Sequence, residues 1–304
     1  TGQVTVLMGT HSHGQGHETA CTRIVCDRLG IAPENVEIVY GDTDRVQFGL
    51  GTYGSRSAAV GGSALVKATE KVIVKGRKIA AHMLECAEPD LTYENARYVI
   101  TGTDRAVPFT EVVRAAYQGH NFPSGLEHGL EETTFYDPPV RNVPSALHLC
   151  VVLVDAETGK VTLRDFWSID DVGRLINPMI VEGQIHGGLA QGIGQALMES
   201  VVFDANGQLL TGSFMDYAMP RASDLPSFNT SSQETLSPDN ILGVKGAGES
   251  GTIGAPAAIV NAVIDALAPL GIRHLDMPLS PSRVWAAMRA ATSSSSSSQS
   301  TGAS

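Results

Sequence analysis

Gln3-Val-Thr-Val-Leu-Met-Gly-Thr10 reads as a buried strand, and the residues after it decide the fold class. The apolar run is short, rich in β-branched residues and stopped by glycine, as a strand should be. A polar loop, His11-Ser-His-Gly-Gln-Gly-His17, comes next. The spacing then predicts a helix over about 18–29 and a second strand over 35–41. This is a strand, loop, helix, strand unit. Gly49-Leu-Gly-Thr-Tyr-Gly54 then leads into a long helix over about 55–87, with Leu65, Ala68, Val72, Ile79 and Met83 on its buried stripe. Gly61 and Gly62 near its start lower helix stability, so something should pack closely against that turn.

From 90 to 143 the pattern weakens, and Pro123, Pro138, Pro139 and Pro144 break it up. A strand-rich unit follows. Leu147–Asp155 and Lys160–Ile169 flank Ala156-Glu-Thr-Gly159, which reads as a hairpin turn. Met179–Ser200 reads as a helix rich in Gly and Ala, and Phe203-Asp-Ala-Asn-Gly-Gln208 as a turn between strands. Helices are predicted over about 256–268 and 283–291. Both halves repeat the order strand, glycine-rich loop, helix, but without a strict period. The expected class is α+β, with two lobes of mixed β-sheet and packed helices. The first lobe is placed at 1–120, a connecting segment at 121–144 and the second lobe at 145–291; the Ser-rich stretch 292–304 is read as a disordered tail.

The 304 residues are 42% hydrophobic, with mean hydropathy near zero, which allows a substantial core and excludes a disordered or fibrous chain. The formal charge is −11 and no basic cluster occurs, which argues against a nucleic-acid surface and against an anionic membrane. Small molecules or other proteins are the expected partners. No segment reads as long and apolar enough to span a bilayer, and no leader pattern opens the chain, so a cytoplasmic location is expected. Cys21, Cys26, Cys86 and Cys150 have no C-x-x-C spacing and read as buried thiols rather than cluster or disulfide partners.

Candidate chemistry concentrates in glycine loops. Gly243-Val-Lys-Gly-Ala-Gly-Glu-Ser-Gly-Thr-Ile-Gly-Ala-Pro256 sets one carboxylate, Glu249, in a turn that runs into an apolar helix. Glycines allow positive φ and close approach of a ligand, while the N–H groups of the turn and the helix start favour negative charge. On its residues alone, Glu249 is as readily a surface acid at a helix start. His11, His13 and His17 could together hold a divalent metal, or form an exposed polar loop. His17-Glu18 lacks the second histidine of a zinc-protease helix. Gly183-Gln-Ile-His-Gly-Gly-Leu-Ala-Gln-Gly-Ile-Gly194 lacks the Lys-Ser/Thr ending of a phosphate loop, and its small residues suit close helix packing.

Taken together, Gly14-Gln-Gly-His17, Gly51-Thr-Tyr-Gly-Ser-Arg-Ser57, Asp170-Asp-Val-Gly-Arg-Leu-Ile-Asn-Pro178 with Glu182-Gly-Gln184, and the Glu249 loop resemble the molybdenum hydroxylase family. This family comprises the large subunits of xanthine dehydrogenase, aldehyde oxidase and aerobic carbon monoxide dehydrogenase, and the likeness is to its carbon monoxide dehydrogenase-like bacterial branch. The resemblance covers roughly residues 1–290. It implies a C-terminal molybdopterin-binding domain, with an N-terminal half of the same large subunit expected elsewhere, so that the fragment alone would be inactive. It also implies an iron–sulfur subunit and an FAD subunit as partners, because nothing in this chain can carry electrons away.

By the same resemblance the cofactor is molybdopterin cytosine dinucleotide with molybdenum, held through its dithiolene and not by a protein side chain. Gln15, Gly16 and His17 match the family's first cofactor contact, and Thr52, Tyr53, Gly54, Ser55, Arg56 and Ser57 its second. Asp171 and Gln184 match the third, while Lys245, Gly246 and Gly248 match the loop that bears the catalytic base, Glu249. Amide and hydroxyl side chains and bare backbone N–H groups suit a pterin dinucleotide better than a basic cluster would. The implied reaction oxidises a small carbon substrate (carbon monoxide, an aldehyde or an N-heterocycle) with oxygen derived from water. The alternative is a non-catalytic interaction module with a divalent metal on the His11, His13 and His17 loop.

Overall fold

The computed structural model describes residues 2–299, with side chains through Ser293. It is an α+β chain with mixed strand pairing, made of two compact units that exchange short segments along the sequence. The first unit holds residues 1–143, 174–177 and 236–246, and the second holds 144–173, 178–235 and 247–304. Residues 121–143, expected as a connector, are therefore counted with the first unit.

In the first unit β1 (Val4–Met8) pairs in parallel with β2 (Val36–Tyr40), joined by α1 (His17–Leu29). A parallel pair needs such a crossover. The long helix α2 (Ser57–Leu84) follows. Its buried stripe runs through Gly62, Leu65, Val66, Thr69, Ile73, Gly76, Ile79 and Ala80, with Leu65 and Ile79 buried as predicted and Ala68, Val72 and Met83 flanking it half-buried. The two early glycines have the expected cause: a Cβ on Gly61 would lie 3.1 Å from the Met8 side chain, and one on Gly62 would lie 2.7 Å from Leu242.

The weakly patterned stretch after α2 does form structure. β3 (Leu91–Glu94), β4 (Arg97–Ile100) and β5 (Ala106–Pro108) make an antiparallel sheet, followed by α3 (Phe109–Tyr117). These strands of three or four residues are too short to give a periodic signal. Tyr98, fully buried on β4, donates its hydroxyl to the Ile73 carbonyl at 3.1 Å, and Gly76 is required there because a Cβ would lie 2.0 Å from that hydroxyl. Val25, Leu29, Ile79 and Val112 complete this core.

The second unit opens with a hairpin. β6 (Ser145–Val154) and β7 (Val161–Asp171) pair antiparallel with His148 opposite Ser168. Their turn is the predicted one: Gly159, at φ 73°, donates to the Asp155 carbonyl at 2.8 Å, and the Asp155 carboxylate accepts from the N–H groups of Glu157 and Thr158. After α4 (Pro178–Leu197), β8 (Phe228–Ser232) adds in parallel to β7. Around 203–208 only an isolated bridge between Phe203 and Leu209 forms, not the two strands expected.

α5 (Ser250–Leu267) begins six residues before the predicted start. Pro256 lies within it rather than at its first turn, and Gly251 and Gly254 are held helical by the neighbours they pack against. Ser250–Leu270 is also long and apolar enough, by length and composition, to cross a bilayer, contrary to the sequence expectation. In this unit its Ala255, Ile259, Val263 and Leu267 are buried in one cluster with Phe166, Ile185, Leu189 and Ile193, while 22% of its apolar window is buried. α4 and α5 cross on small residues, since a Cβ on Gly192 would lie 2.8 Å from that of Ala255. α6 (Pro281–Gln299) runs past the predicted end into the Ser-rich stretch read as disordered. Thr292 and Ser293 place their hydroxyls on the Met288, Arg289 and Ala290 carbonyls one turn back, so that these polar groups are satisfied within the helix. The remainder of that stretch, 300–304, lies outside the described residues.

All four cysteines are free; Cys21 is buried, and Cys26, Cys86 and Cys150 are half-buried rather than buried as expected. Burial pushes the Cys21 thiol up to about 12.

Candidate functional site

The first unit draws together two of the four glycine loops and the first part of the Glu249 loop. Thr52 is the link: its hydroxyl donates to the His11 carbonyl at 2.5 Å, accepts from the His11 N–H at 3.1 Å and lies 3.0 Å from Ser57 Oγ. Gln15 folds back over the same turn, its Oε1 accepting from the His13 N–H. The loop before α1 is thereby tied to the loop before α2. Gly16 and Arg56 are the residues preceding these helices, and neither helix start carries a side-chain cap. Their first N–H groups are available to an outside acceptor.

The backbone here is unusual. Gly51, Gly54 and Ser55 lie at φ 72°, 58° and 51°. A Cβ on Gly14, Gly51 or Gly54 would meet nothing within 4 Å, so these loops border open space. Gly246 has no such room, because a Cβ there would lie 2.3 Å from the Ser55 carbonyl. Lys245 beside it is half-buried. Arg56 lies 4.8 Å over the exposed Tyr53 ring and donates to its hydroxyl at 2.8 Å, an arrangement that holds both side chains.

His17 begins α1 with its Nδ1 buried and without a hydrogen-bond partner among the described residues. Burial holds its pKa below the ordinary imidazole value and His13 nearby pushes in the same direction, while a backbone hydrogen bond with His11 pulls the other way. A neutral ring with an unmet nitrogen fits a polar ligand against this turn. The rings of His11 and His13 meet edge to face at 4.8 Å. Among the described residues no group of three or more His, Cys, Asp or Glu is arranged to hold a metal ion.

In the second unit the residues next to Glu249 meet those next to two other candidates: Gly251 packs on Ile185, beside Gln184, and Ser250 is hydrogen-bonded to Asp170, beside Asp171. Glu249 is exposed at the N-cap of α5, with φ −110°, ψ −1° and no side-chain cap on the helix. Behind it Gly251 lies on α4: a Cβ would sit 2.5 Å from the Ile185 carbonyl and 2.7 Å from the Leu189 nitrogen. Gln184 directly precedes Ile185 on α4. Asp171 at the end of β7 accepts from the N–H groups of Gly173 at 3.0 Å and Thr235 at 3.1 Å, fixing the loop after it.

Beneath this turn lies a group that sequence reasoning missed. Asp170 is fully buried and accepts hydrogen bonds from Ser168 Oγ at 2.5 Å and from Ser250 Oγ. His148 lies beside it on β6, with both ring nitrogens buried and Nδ1 turned toward Gly254. Burial lowers the His148 pKa, with the Asp170 carboxylate and the Gly254 backbone pulling the other way. The signal was present in the strand: Ser168 and Asp170 alternate with exposed Ile169 and share the inward face of β7 with Phe166. Polar residues on an inward strand face call for partners. No predicted site residue lines the open cleft at Met198, Phe214, Tyr217 and Arg221 or the one at His82, Glu85 and Asn121.

Residues 1–226 match the family model described as the molybdopterin cofactor-binding domain. The chain belongs to that family. It is 44% identical over 290 residues to the carbon monoxide dehydrogenase large chain of Hydrogenophaga pseudoflava, covering 95% of this chain and 36% of that one. It is 40% identical over 286 residues to the nicotine 6-hydroxylase large subunit of Paenarthrobacter nicotinovorans, covering 93% of this chain and 35% of that one. Among solved structures, a crystal structure of a Cu,Mo-CO dehydrogenase in its carbon monoxide reduced state matches with a TM-score of 0.90 and 40% identity, over 96% of this chain and 37% of that one. The chain thus spans about a third of the length of the curated relatives it matches. The α+β fold and the molybdopterin-binding character that the glycine loops implied are those of the molybdopterin cofactor-binding family. The family match ends at 226, before the Glu249 loop.

Proposed function

We propose that this chain is the part of a molybdenum hydroxylase large subunit that binds molybdopterin cytosine dinucleotide and supplies the general base, Glu249. The reading rests on a recurrence: α1, α2 and α5 are each directly preceded by a predicted cofactor or catalytic residue, Gly16, Arg56 and Glu249, and each lacks a side-chain cap. Uncapped helix starts beside glycine loops offer N–H donors to the pyrophosphate and pterin of a dinucleotide. The candidate cofactor contacts are Gln15, Gly16, His17, the Thr52–Ser57 loop, Lys245 and Gly246 among the residues of the first unit, and Asp171, Gln184 and Gly248 among those of the second. The orphaned His17 Nδ1 and the open space before Gly14, Gly51 and Gly54 fit such a group.

When bound, the cofactor supplies a two-electron oxidation of a small carbon substrate such as carbon monoxide, an aldehyde or an N-heterocycle. Glu249 complements that chemistry, because its carboxylate, exposed at the start of α5, takes the proton from the water-derived oxygen delivered to the substrate carbon. Base help of this kind contributes about 10²- to 10⁴-fold. The electrons then pass to an iron–sulfur subunit and an FAD subunit, and the rest of the large subunit supplies the residues that select the substrate.

Two measurements test this. Elemental and nucleotide analysis of the protein as purified is expected to give near-stoichiometric molybdenum with released cytosine nucleotide; zinc or nickel without molybdenum would overturn the assignment. Glu249→Gln is expected to keep molybdenum and lose about 10²- to 10⁴-fold in turnover, and near-wild-type turnover in a molybdenum-replete variant would remove Glu249 from the role of base.

A further inference from the structure

A carboxylate with no exposure is expensive to bury unless its oxygens are fully engaged, so the partners of Asp170 indicate what it is there to hold. Its two oxygens receive one serine hydroxyl each, Ser168 on Oδ2 and Ser250 on Oδ1. The serines are as buried as a core residue, at 1% and 5% exposure. They differ in where they lead. Ser168 lies two residues back on the same strand, whereas Ser250 comes from 80 residues away and is the first residue of α5, directly after Glu249.

The same turn is restrained from other sides. Gly251 rests on the backbone of α4 at Ile185 and Leu189, and a Cβ on Gly254 would lie 2.5 Å from His148 Nδ1. The backbone on the C-terminal side of Glu249 is thus gripped by a hydrogen bond to a buried charge and by two contacts too close for any side chain. Packing alone fixes how near the helix lies; the directional Ser250 hydrogen bond fixes its rotation, and with it the direction in which Glu249 leaves the helix start.

We propose that Asp170 is a positioning residue which, through the Ser250 hydroxyl, sets the first turn of α5 and so aims the Glu249 carboxylate. The proposal rests on the reading of Glu249 as the base, and it concerns geometry, not proton transfer by Asp170 itself.

The two serines provide the test, because each donates to the same buried carboxylate and only one touches the Glu249 turn. Ser250→Ala, Ser168→Ala and Asp170→Asn would be made in the intact holoprotein. Amide hydrogen exchange over residues 250–253 and molybdenum content would be followed beside kcat and KM. Ser250→Ala is expected to speed exchange in that turn about tenfold and to lower kcat about tenfold, with KM and molybdenum unchanged. Asp170→Asn should loosen the same turn. Ser250→Thr, which keeps the hydroxyl, should restore wild-type exchange, and Ser168→Ala should leave exchange and kcat within about twofold of wild type. Unchanged exchange in Ser250→Ala, or equal loosening by Ser168→Ala, overturns the proposal. The exchange readout decides the role of Asp170 whatever the role of Glu249, while Glu249→Gln decides the base without reference to exchange, so the two failures are separable.

Discussion

Glycine does opposite work at the helix starts of the two units. Before α1 and α2, Gly14, Gly51 and Gly54 adopt positive φ and face open space. At the start of α5, Gly251 and Gly254 are ordinary helical residues pressed against protein, where a Cβ would lie 2.5 Å from a neighbouring atom in each case. The first pattern shapes a surface for a ligand, and the second removes freedom from a residue that must point one way. Glycine-rich sequence therefore means two different things within one chain. Backbone conformation distinguishes them.

Substitutions probe this contrast at several points. Gly251→Ala should be the most damaging, because backbone atoms of α4 must move to admit the methyl group; a loss of about 1–3 kcal/mol is expected, read as a lower midpoint in thermal or denaturant unfolding. Gly51→Ala meets no neighbour but sits at φ 72°, so about 1 kcal/mol of strain is expected, with loss of bound molybdenum exceeding the loss of stability. If Gly51→Ala proved the more destabilising, the distinction between open and packed glycines would fail.

A smaller effect is expected from Thr52→Val, which keeps the shape but removes the hydroxyl shared by His11 and Ser57; about 1 kcal/mol should be lost and cofactor retention should fall. The smallest concerns pH. His17 and His148 have pKa values below the unfolded value of about 6.5, so between that value and their folded values the unfolded chain binds more protons. Stability should fall as pH drops through this window. Replacing His148 with Gln should flatten that dependence in unfolding midpoints measured from about pH 7.5 to 5, and an unchanged slope would show that His148 is not neutral in the folded state.

Much of the architecture was legible in residue order. The β1, α1, β2 unit follows from two short apolar runs around an amphipathic stretch, and the β6–β7 hairpin from its Asp155 to Gly159 turn. Other parts were not. β3 to β5 are too short for a period to show, and their place depends on Tyr98 reaching Ile73 on α2. The start of α5 was set six residues late because Pro256 and the glycines before it read as a loop. Local propensity disfavours a helix there, and burial against α4 overrides it. For the same reason an apolar helix of membrane-spanning length was not expected.

Residue type and spacing alone specify which backbone positions must be bare and which side chains are chemically able to act: the glycine loops, His17 and Glu249 announce themselves in this way. The choice between two adjacent aspartates belongs to the tertiary structure. Asp171, singled out from the sequence, is half-buried and fixes a loop, whereas Asp170 beside it is wholly buried under the Glu249 turn. Neighbours on a strand face opposite ways, and which way is inward depends on a helix whose first serine lies 80 residues further along the chain.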